Sequence, residues 1–473
     1  MLSSNAFPIR AGTLRSYWIV FFLSSRRSRR CVCLLWSLFL TAGFRACAAE
    51  VRTMRLDYFH TGKADSEIFS RERVVLEPLP WPGNPQKLLD DSNLGPYFFE
   101  VRDLRSGKAL YSRGYSSIFS EWQTTPEAKG EYRTFSESLR FPLPAASVKI
   151  SVQKRDGANR FREIWSTIIN PQDQSIERVT APAPAPVIAI APNGPPARQV
   201  DLLFLGEGYT AGELGKCDRD VRRAADALFQ YAPFRERRKD FSLRAICAPS
   251  PESGVSHPSR GTYRRTLFDS TFDVFGTARY ALSFNNRAIR ETAAYAPYEF
   301  LAIVMNDNAY GNGGIFGQFA TVSIDDPRSL PAFVHEFGHH FAGLADEYFL
   351  GSVAYAPTVP TVEPWEPNIT ALFDPKNLKW KELVSAGTPI PTPWPKKEYE
   401  RRGERNRDRY LSSGPYAGKV GAFEGANYME KGYYRSEQNC FMLTLSCGRF
   451  CAACRRAIDR TIDLYAPKPG QSH

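Results

Sequence analysis

The chain has 473 residues, 43% of them hydrophobic, 13% aromatic and 23% charged, a balance that excludes wholesale disorder and supplies more than one packed core. The net charge of +11 would suit an acidic partner only if the excess were spread over the folded part. Seven basic residues, Arg10, Arg15, Arg26, Arg27, Arg29, Arg30 and Arg45, precede Glu50 with no acid among them, leaving 54 of the 61 against 50. That balance argues against nucleic acid.

Residues 1–49 read as a signal peptide or a retained N-terminal anchor: arginines through Arg30, an apolar run from Cys31 to Phe44, then the small residues Ala46, Cys47, Ala48 and Ala49. The expected location is therefore secreted, periplasmic or cell-surface. No later stretch reaches the roughly 18 consecutive apolar residues of a membrane span. Cleavage after Ala49 would leave Cys217, Cys247, Cys440, Cys447, Cys451 and Cys454, an even count that favours disulfides in an exported chain. The cluster Cys440, Cys447, Cys451 and Cys454 has a four-thiolate structural zinc as its alternative.

Residues 50–179 hold short runs of β-formers, such as Phe98–Arg102 and Ser147–Val152, punctuated by Pro, Gly, Asn and Asp. They predict an all-β, sandwich-like domain with no catalytic constellation of its own. Residues 180–198, rich in Pro and Ala, read as an extended linker. Residues 199–468 follow as a mixed α/β domain, so the whole is α+β. Val200–Leu205 and Phe300–Met305 are apolar strands, Ala211 to about Tyr231 a helix, and a further helix starts near Ser329. The loop Gly311-Asn312-Gly313-Gly314 lacks the Gly-Lys-Ser/Thr of a phosphate loop. Asn306–Gly314 instead suits an edge that pairs with an extended peptide.

The chemistry concentrates in Pro331–Tyr348. His335 and His339 stand four apart, so on a helix both imidazoles face one side and can take two corners of a zinc tetrahedron. Phe333, Phe337 and Phe341 repeat two positions away and give the helix an apolar back. Glu336, rotated by about 100° from His335, is placed to hold water as general base rather than to bind the ion. Only six histidines occur in the chain and three fall here, which sharpens the HExxH match. His340 points off the liganding face and reads as a plain helix residue. For the third ligand Asp346 leads, with Glu347 as substitute and His257 as a remote choice. Asn368-Ile369-Thr370 matches a glycosylation acceptor of little weight, and the basic stretch Lys396–Arg409 reads as a solvated loop.

HEFGHHFAGLADEY, the upstream FLGEGYT and PESGVSHP, the YGNGG loop and the downstream GYYRSEQNCFM together resemble the M64 family of bacterial metallopeptidases. The resemblance runs from about Val200 to Arg455, and the β-rich part before the linker is similar to the N-terminal domain often found in that family. It implies a secreted zinc endopeptidase on a zincin or metzincin-like fold, acting on protein or peptide substrates, with Met442 as the methionine turn beneath the Zn2+ ion. The metzincin ligand pattern is shifted here: Ala342 and Ala345 occupy its glycine and third-ligand positions, and Gly343 and Asp346 lie one residue later. In the expected mechanism a metal-activated water attacks with Glu336 as base. Tyr433, Tyr434 and Arg435 are candidate donors to the oxyanion, Tyr434 standing for the group. Two competing readings are a non-catalytic surface binding protein on the same fold and a zinc amidase acting on cell-wall peptides.

Overall fold

The computed structural model describes residues 51–350, 359–401 and 408–466, and the expected leader at 1–49 lies outside the described residues. The first eight strands are β1 (Arg52–Lys63), β2 (Ser66–Pro80), β3 (Tyr97–Asp103), β4 (Ala109–Tyr115), β5 (Arg133–Pro142), β6 (Val148–Arg155), β7 (Phe161–Ile169) and β8 (Glu177–Arg178). They form two four-stranded sheets in the orders β5-β1-β2-β8 and β4-β3-β6-β7. Alternate side chains, Met54, Leu56 and Tyr58 from β1 facing Phe99, Val101, Ile150 and Val152 from β3 and β6, share one core. This is the two-residue period expected of a sheet with one buried face. A short helix, α1 (Ile118–Trp122), leaves this N-terminal β domain with Ser117 as its N-cap.

The second part is built on a six-stranded sheet of β9 (Val187–Ala191), β10 (Val200–Glu207), β11 (Phe241–Ile246), β12 (Phe300–Met305), β13 (Asn312–Ile315) and β14 (Phe319–Ser323), in the order β13-β14-β12-β10-β11-β9. The four inner strands run parallel, and β9 and β13 close the edges antiparallel. β9 lies inside the Pro/Ala-rich segment 180–198: Val187–Ala191 is the one stretch there free of proline, so its N–H groups can enter a ladder. Among the described residues five more helices follow α1: α2 (Leu214–Leu228), α3 (Asn286–Ala293), α4 (Ser329–Ala342), α5 (Lys396–Glu400) and α6 (Ala452–Tyr465). A small sheet of β15 (Ile369–Thr370), β16 (Phe423–Ala426) and β17 (Met429–Arg435) completes the described elements.

Both faces of the large sheet are covered, which is why β10 and β12 are buried along their whole length. On one face Phe204 and Leu202 meet Phe333, Phe337 and Phe341 of α4 together with Ile458 of α6. On the other, Leu203, Leu205 and Ile303 meet Ile289 of α3 and also Phe119 and Trp122 of α1, so the N-terminal part supplies side chains to the second core. A disulfide joins Cys217 on α2 to Cys247 just after β11. No helix among the described residues is long and apolar enough to cross a membrane.

The two parts also meet through buried charge. Arg55 is fully buried and bonds both oxygens of Asp57 at 2.8 and 3.0 Å, Glu77 Oε1 at 3.2 Å and the carbonyl of Arg290 on α3 at 3.3 Å. Arg73 and Arg140 add bonds of 2.8 and 2.7 Å to Asp57 and Glu77, and Arg140 reaches the Tyr298 carbonyl at 2.8 Å. Burial opposes charge at Asp57, but the Arg55 and Arg73 guanidiniums and the Ser138 hydroxyl outweigh it and hold the carboxyl below its usual range.

Candidate active site

Helix α4 carries the site because its two faces do different work. Phe333, Phe337 and Phe341 are buried in the sheet-side core, and His335, Glu336 and His339 turn the other way. The helix continues through Ala342, and Gly343 ends it in the left-handed conformation at φ 61°, with its N–H on the carbonyls of Gly338 and His339. This explains the one-residue shift of the glycine. From there the chain doubles back: the Leu344 carbonyl accepts from His339 Nδ1 at 2.5 Å, and Asp346 returns to the imidazoles. A second glycine matters for proximity, since a Cβ at Gly314 on β13 would lie 2.1 Å from the Glu336 carbonyl oxygen. Only glycine lets the edge strand run against α4.

His335 Nε2 lies 2.9 Å and His339 Nε2 3.3 Å from Asp346 Oδ1, and the two Nε2 atoms are 3.2 Å apart. The Nδ1 atoms face the carbonyls of Phe441 and Leu344, at 3.2 and 2.5 Å. A carbonyl only accepts, so each Nδ1 carries the proton and each Nε2 turns a lone pair inward. Asp346 Oδ1 is buried without a well-directed hydrogen bond. Three lone-pair atoms converging on one point repel unless a cation or a proton lies between them. Protonation is one relief: burial presses the His339 imidazolium down, but the Asp346 carboxylate outweighs it and lifts the value to about 9. Two nitrogens and one carboxylate oxygen also match the donor set of a three-ligand zinc site, and the Phe441 and Leu344 carbonyls orient the two rings from behind, as outer hydrogen bonds do at such sites.

Asp346 is held from the other side by the Tyr428 hydroxyl, which donates to Oδ2. Tyr428 sits with Asn427 in the two-residue turn between β16 and β17, at φ 62° and 50°, where Gly is the favoured second residue. A tyrosine there carries backbone strain of about 1 kcal/mol or more, a cost that goes with functional positions. Met442 is fully buried beneath α4, its Sδ 3.3 Å from where a Cβ on Gly338 would stand, and its carbonyl accepts from the Glu347 N–H at 2.8 Å.

A cavity of 390 Å³ opens in front of these groups and is lined by Glu336, His339, Asp346, Tyr348, Tyr428 and Arg279. Burial raises Glu336 above the ordinary carboxylate value, against the pull of His335 and His339. The opposite wall comes from the N-terminal part: Pro96, Ser116, Ser120, Glu121 and Thr124. Glu121 accepts from the Tyr280 hydroxyl, and burial lifts its carboxyl to about 7. A larger cavity of 580 Å³ lies where the two parts meet, lined by Arg113, Arg140 and Tyr465 among others. Neither His335 nor His339 lines it, whereas His339 lines the smaller one.

The models of known families decide the kinship. The model described as IgA Peptidase M64 matches residues 188–411 and 402–462, and that of the Peptidase M64 N-terminus matches residues 45–166. The chain belongs to the IgA peptidase M64 family. It is therefore a peptidase, acting on protein or peptide substrates. None of the curated proteins compared with it matches.

Within this M64 peptidase the structure brings His335, Glu336, His339 and Asp346 together and sends the other candidates elsewhere. Glu347 turns away toward Cys451 and Cys454, and His257 stacks on Phe272 with its Nε2 2.9 Å from Asp307. His340 is buried, donates from Nδ1 to the Ile315 carbonyl and is pushed down to about 3 by that burial. Tyr434 is not among the cavity residues. On β17 the two-residue period buries Tyr433 and Arg435 and leaves Tyr434 half-exposed on the other face. Tyr433 packs with Ala345 and Ile369, and Arg435 binds the carbonyls of Gln438, Glu424 and Gly425. Asn368 is fully buried against Ala345 and Glu347 and closed to glycosylation, and within the basic stretch residues 402–407 lie outside the described residues. Glu121 and Tyr428 escaped the sequence reading, and Tyr348 was given no role in it. The one local signal was the Asn427-Tyr428 pair standing where a hairpin favours Asn-Gly.

Proposed function

We propose that this M64 peptidase is an exported zinc endopeptidase of metzincin type. One observation carries the reading: ligand atoms of His335, His339 and Asp346 lie within 4.8 Å of one another, at a cavity whose wall includes Glu336. A zinc ion held there supplies Lewis-acid polarisation of the scissile carbonyl and of the attacking water. Glu336 accepts the proton of that water and passes it to the leaving amine, a task its raised pKa suits. Tyr428 keeps Asp346 in place. Tyr348, hydrogen-bonded to Arg279 at the same cavity, offers donors to the developing oxyanion and takes the role first assigned to Tyr434. The substrate backbone pairs with β13 beyond Asn312, the residue already bridged by Tyr280. Met442 beneath α4 favours the metzincin type, and the disulfide between Cys217 and Cys247 fits an oxidising compartment.

The test is metal analysis of the purified chain paired with hydrolysis of casein, gelatin and immunoglobulin A. Zinc should be present, a chelator should abolish cleavage, and added zinc should restore it. Cleavage that survives removal of the metal sinks the reading, and activity confined to purified peptidoglycan replaces it with the cell-wall amidase.

A further inference from the structure

We infer that Glu347, Cys440, Cys451 and Cys454 form a second metal site, a closed structural zinc site of three thiolates and one carboxylate that braces the catalytic turn from behind. Their ligand atoms all lie within 4.8 Å of one another, and all four residues are buried. The expected alternatives in this region were disulfides or a zinc held by four cysteines. Neither is what the chain assembles. Cys440 Sγ and Cys454 Sγ stand 3.8 Å apart, whereas a disulfide needs about 2.05 Å. Cys447 is outside the cluster and only half-buried, and Glu347 takes the fourth corner.

The spacing is that of a tetrahedron. Zinc–sulfur bonds of about 2.3 Å put two sulfurs about 3.8 Å apart, and a sulfur and an oxygen about 3.5 Å apart. The Cys440–Cys454 separation is 3.8 Å, and Glu347 Oε1 lies 3.3 Å from the sulfurs of Cys451 and of Cys454. Glu347 is fully buried, and its second oxygen, Oε2, has no hydrogen-bond partner. A carboxylate left this way among three sulfurs carries a large desolvation cost that a divalent cation removes.

The surroundings are those that support thiolates. Backbone N–H groups of Cys451 and Met442 point at Cys440 Sγ at 3.2 and 3.4 Å, and the Ser436 hydroxyl lies 3.1 Å from Cys451 Sγ. Asn368 donates to Glu347 Oε1 at 3.1 Å. Such outer bonds orient ligands and spread their charge. The coupling to the catalytic centre is covalent: Glu347 follows Asp346, and Cys440 precedes Phe441, whose carbonyl receives His335 Nδ1 at 3.2 Å. One ion on these four residues would therefore fix the third catalytic ligand and the orientation of the first imidazole together.

The ligand set predicts a signal that the histidine site lacks. The full chain, purified from zinc-supplied medium, should hold about two zinc ions, one closed by its four ligands and one at the three-ligand cleft. Replacing the metal with Co2+ should give a near-ultraviolet thiolate-to-cobalt band. A His335→Ala/His339→Ala variant should lose one equivalent of metal and keep that band, and Cys454→Ser should lose the band and melt at a lower temperature. If Cys454→Ser does not fold, the zinc count and cobalt band of the unaltered chain decide. A chain that binds no zinc beyond the equivalent lost with the histidines, and gives no thiolate band, overturns the site. So does peptide mapping without reductant that finds Cys440 and Cys454 bridged. Should the histidine variant lose no zinc while the band persists, the catalytic reading fails and this one stands.

Discussion

Where the two sheets of the N-terminal β domain meet, the centre of the contact is apolar, Met54, Leu56 and Tyr58 against Phe99, Val101 and Ile150, and its polar bonds centre on Glu67, which accepts from Tyr97 and Lys154 of the facing sheet. Where that domain meets the six-stranded part, an apolar contact through Phe119 and Trp122 lies beside a buried chain of ions, Arg73–Asp57–Arg55–Glu77–Arg140, from which Arg55 reaches the Arg290 carbonyl and Arg140 the Tyr298 carbonyl. Greasy surfaces tolerate sliding, whereas a row of buried charges tolerates only the register in which every charge is paired. That difference has a functional reading, because the same junction sets the position of α1 and with it one wall of the active-site cavity. Ser116 is tied to the β13–β14 turn by bonds of 2.9 Å in both directions, from its N–H to Phe316 and from Gln318 to its carbonyl. The N-terminal part is one wall of the cleft.

The largest effect belongs to the six-stranded part alone. Glu336→Gln should lower kcat by about 10²- to 10⁴-fold, the range of a lost general base, while zinc content and melting temperature stay near those of the unaltered chain. Cleavage at the original rate would remove Glu336 from the mechanism and place the base elsewhere. Arg55→Met is the matching blow to the junction. It removes one cation from two buried carboxylates and should cost about 3 kcal/mol in urea unfolding, the low end of the range for a broken buried pair. Arg73 and Arg140 remain to hold Asp57 and Glu77. Activity should fall with stability intact enough to measure it, through KM more than kcat, because the wall moves and the ligands do not. A variant whose stability is unchanged would make the ion chain decoration rather than register.

Glu121 sharpens the comparison at the cleft itself. Burial holds its carboxyl up to about 7, so it is neutral below that pH and becomes an anion as pH rises through it. A peptide with lysine beside the scissile bond should then gain several-fold in kcat/KM over its leucine counterpart between pH 6 and 8, about 1 kcal/mol of preference. In Glu121→Gln the ratio should be flat with pH. If it still rises, the N-terminal wall does not sense substrate charge.

What the sequence disclosed follows from how local each feature is. The strands of the N-terminal part are legible because a sheet with one buried face imprints a two-residue alternation, and α4 because His335, Glu336 and His339 lie within five positions on an apolar-backed helix. Asp346 was within reach because the turn at Gly343 returns the chain at once. The wall residue Glu121 was not, since nothing near it in sequence records that α1 ends opposite α4. The Glu347 cluster failed for the same reason: one ligand stands at 347 and three between 440 and 454, and cysteine spacing alone proposed Cys447 in place of a distant carboxylate. Tyr434 was assigned a role by nearness in sequence to Met442, and the parity of β17 then turned it to the other face.

The smallest expected effect lies within the N-terminal part, behind that wall. His60 is sandwiched between Phe69 and Phe119, with ring centroids 4.1 and 3.8 Å away, and its nitrogens lie 2.9 Å from Glu67 and 3.2 Å from Glu137. Burial pulls its pKa down, but Glu137 and Glu67 outweigh it and the net value is raised. A histidine whose folded value is raised stabilises most fully below the unfolded value of about 6.5, and that contribution is lost as pH climbs through the folded value. Phe119 belongs to α1, so the proton on His60 helps seat the helix that carries Glu121. Melting temperature should therefore decline across that window in the unaltered chain, and His60→Gln should flatten the decline by a few degrees without touching kcat at low pH. A decline of equal slope in both proteins would place the pH dependence elsewhere and leave α1 held by its apolar contacts alone.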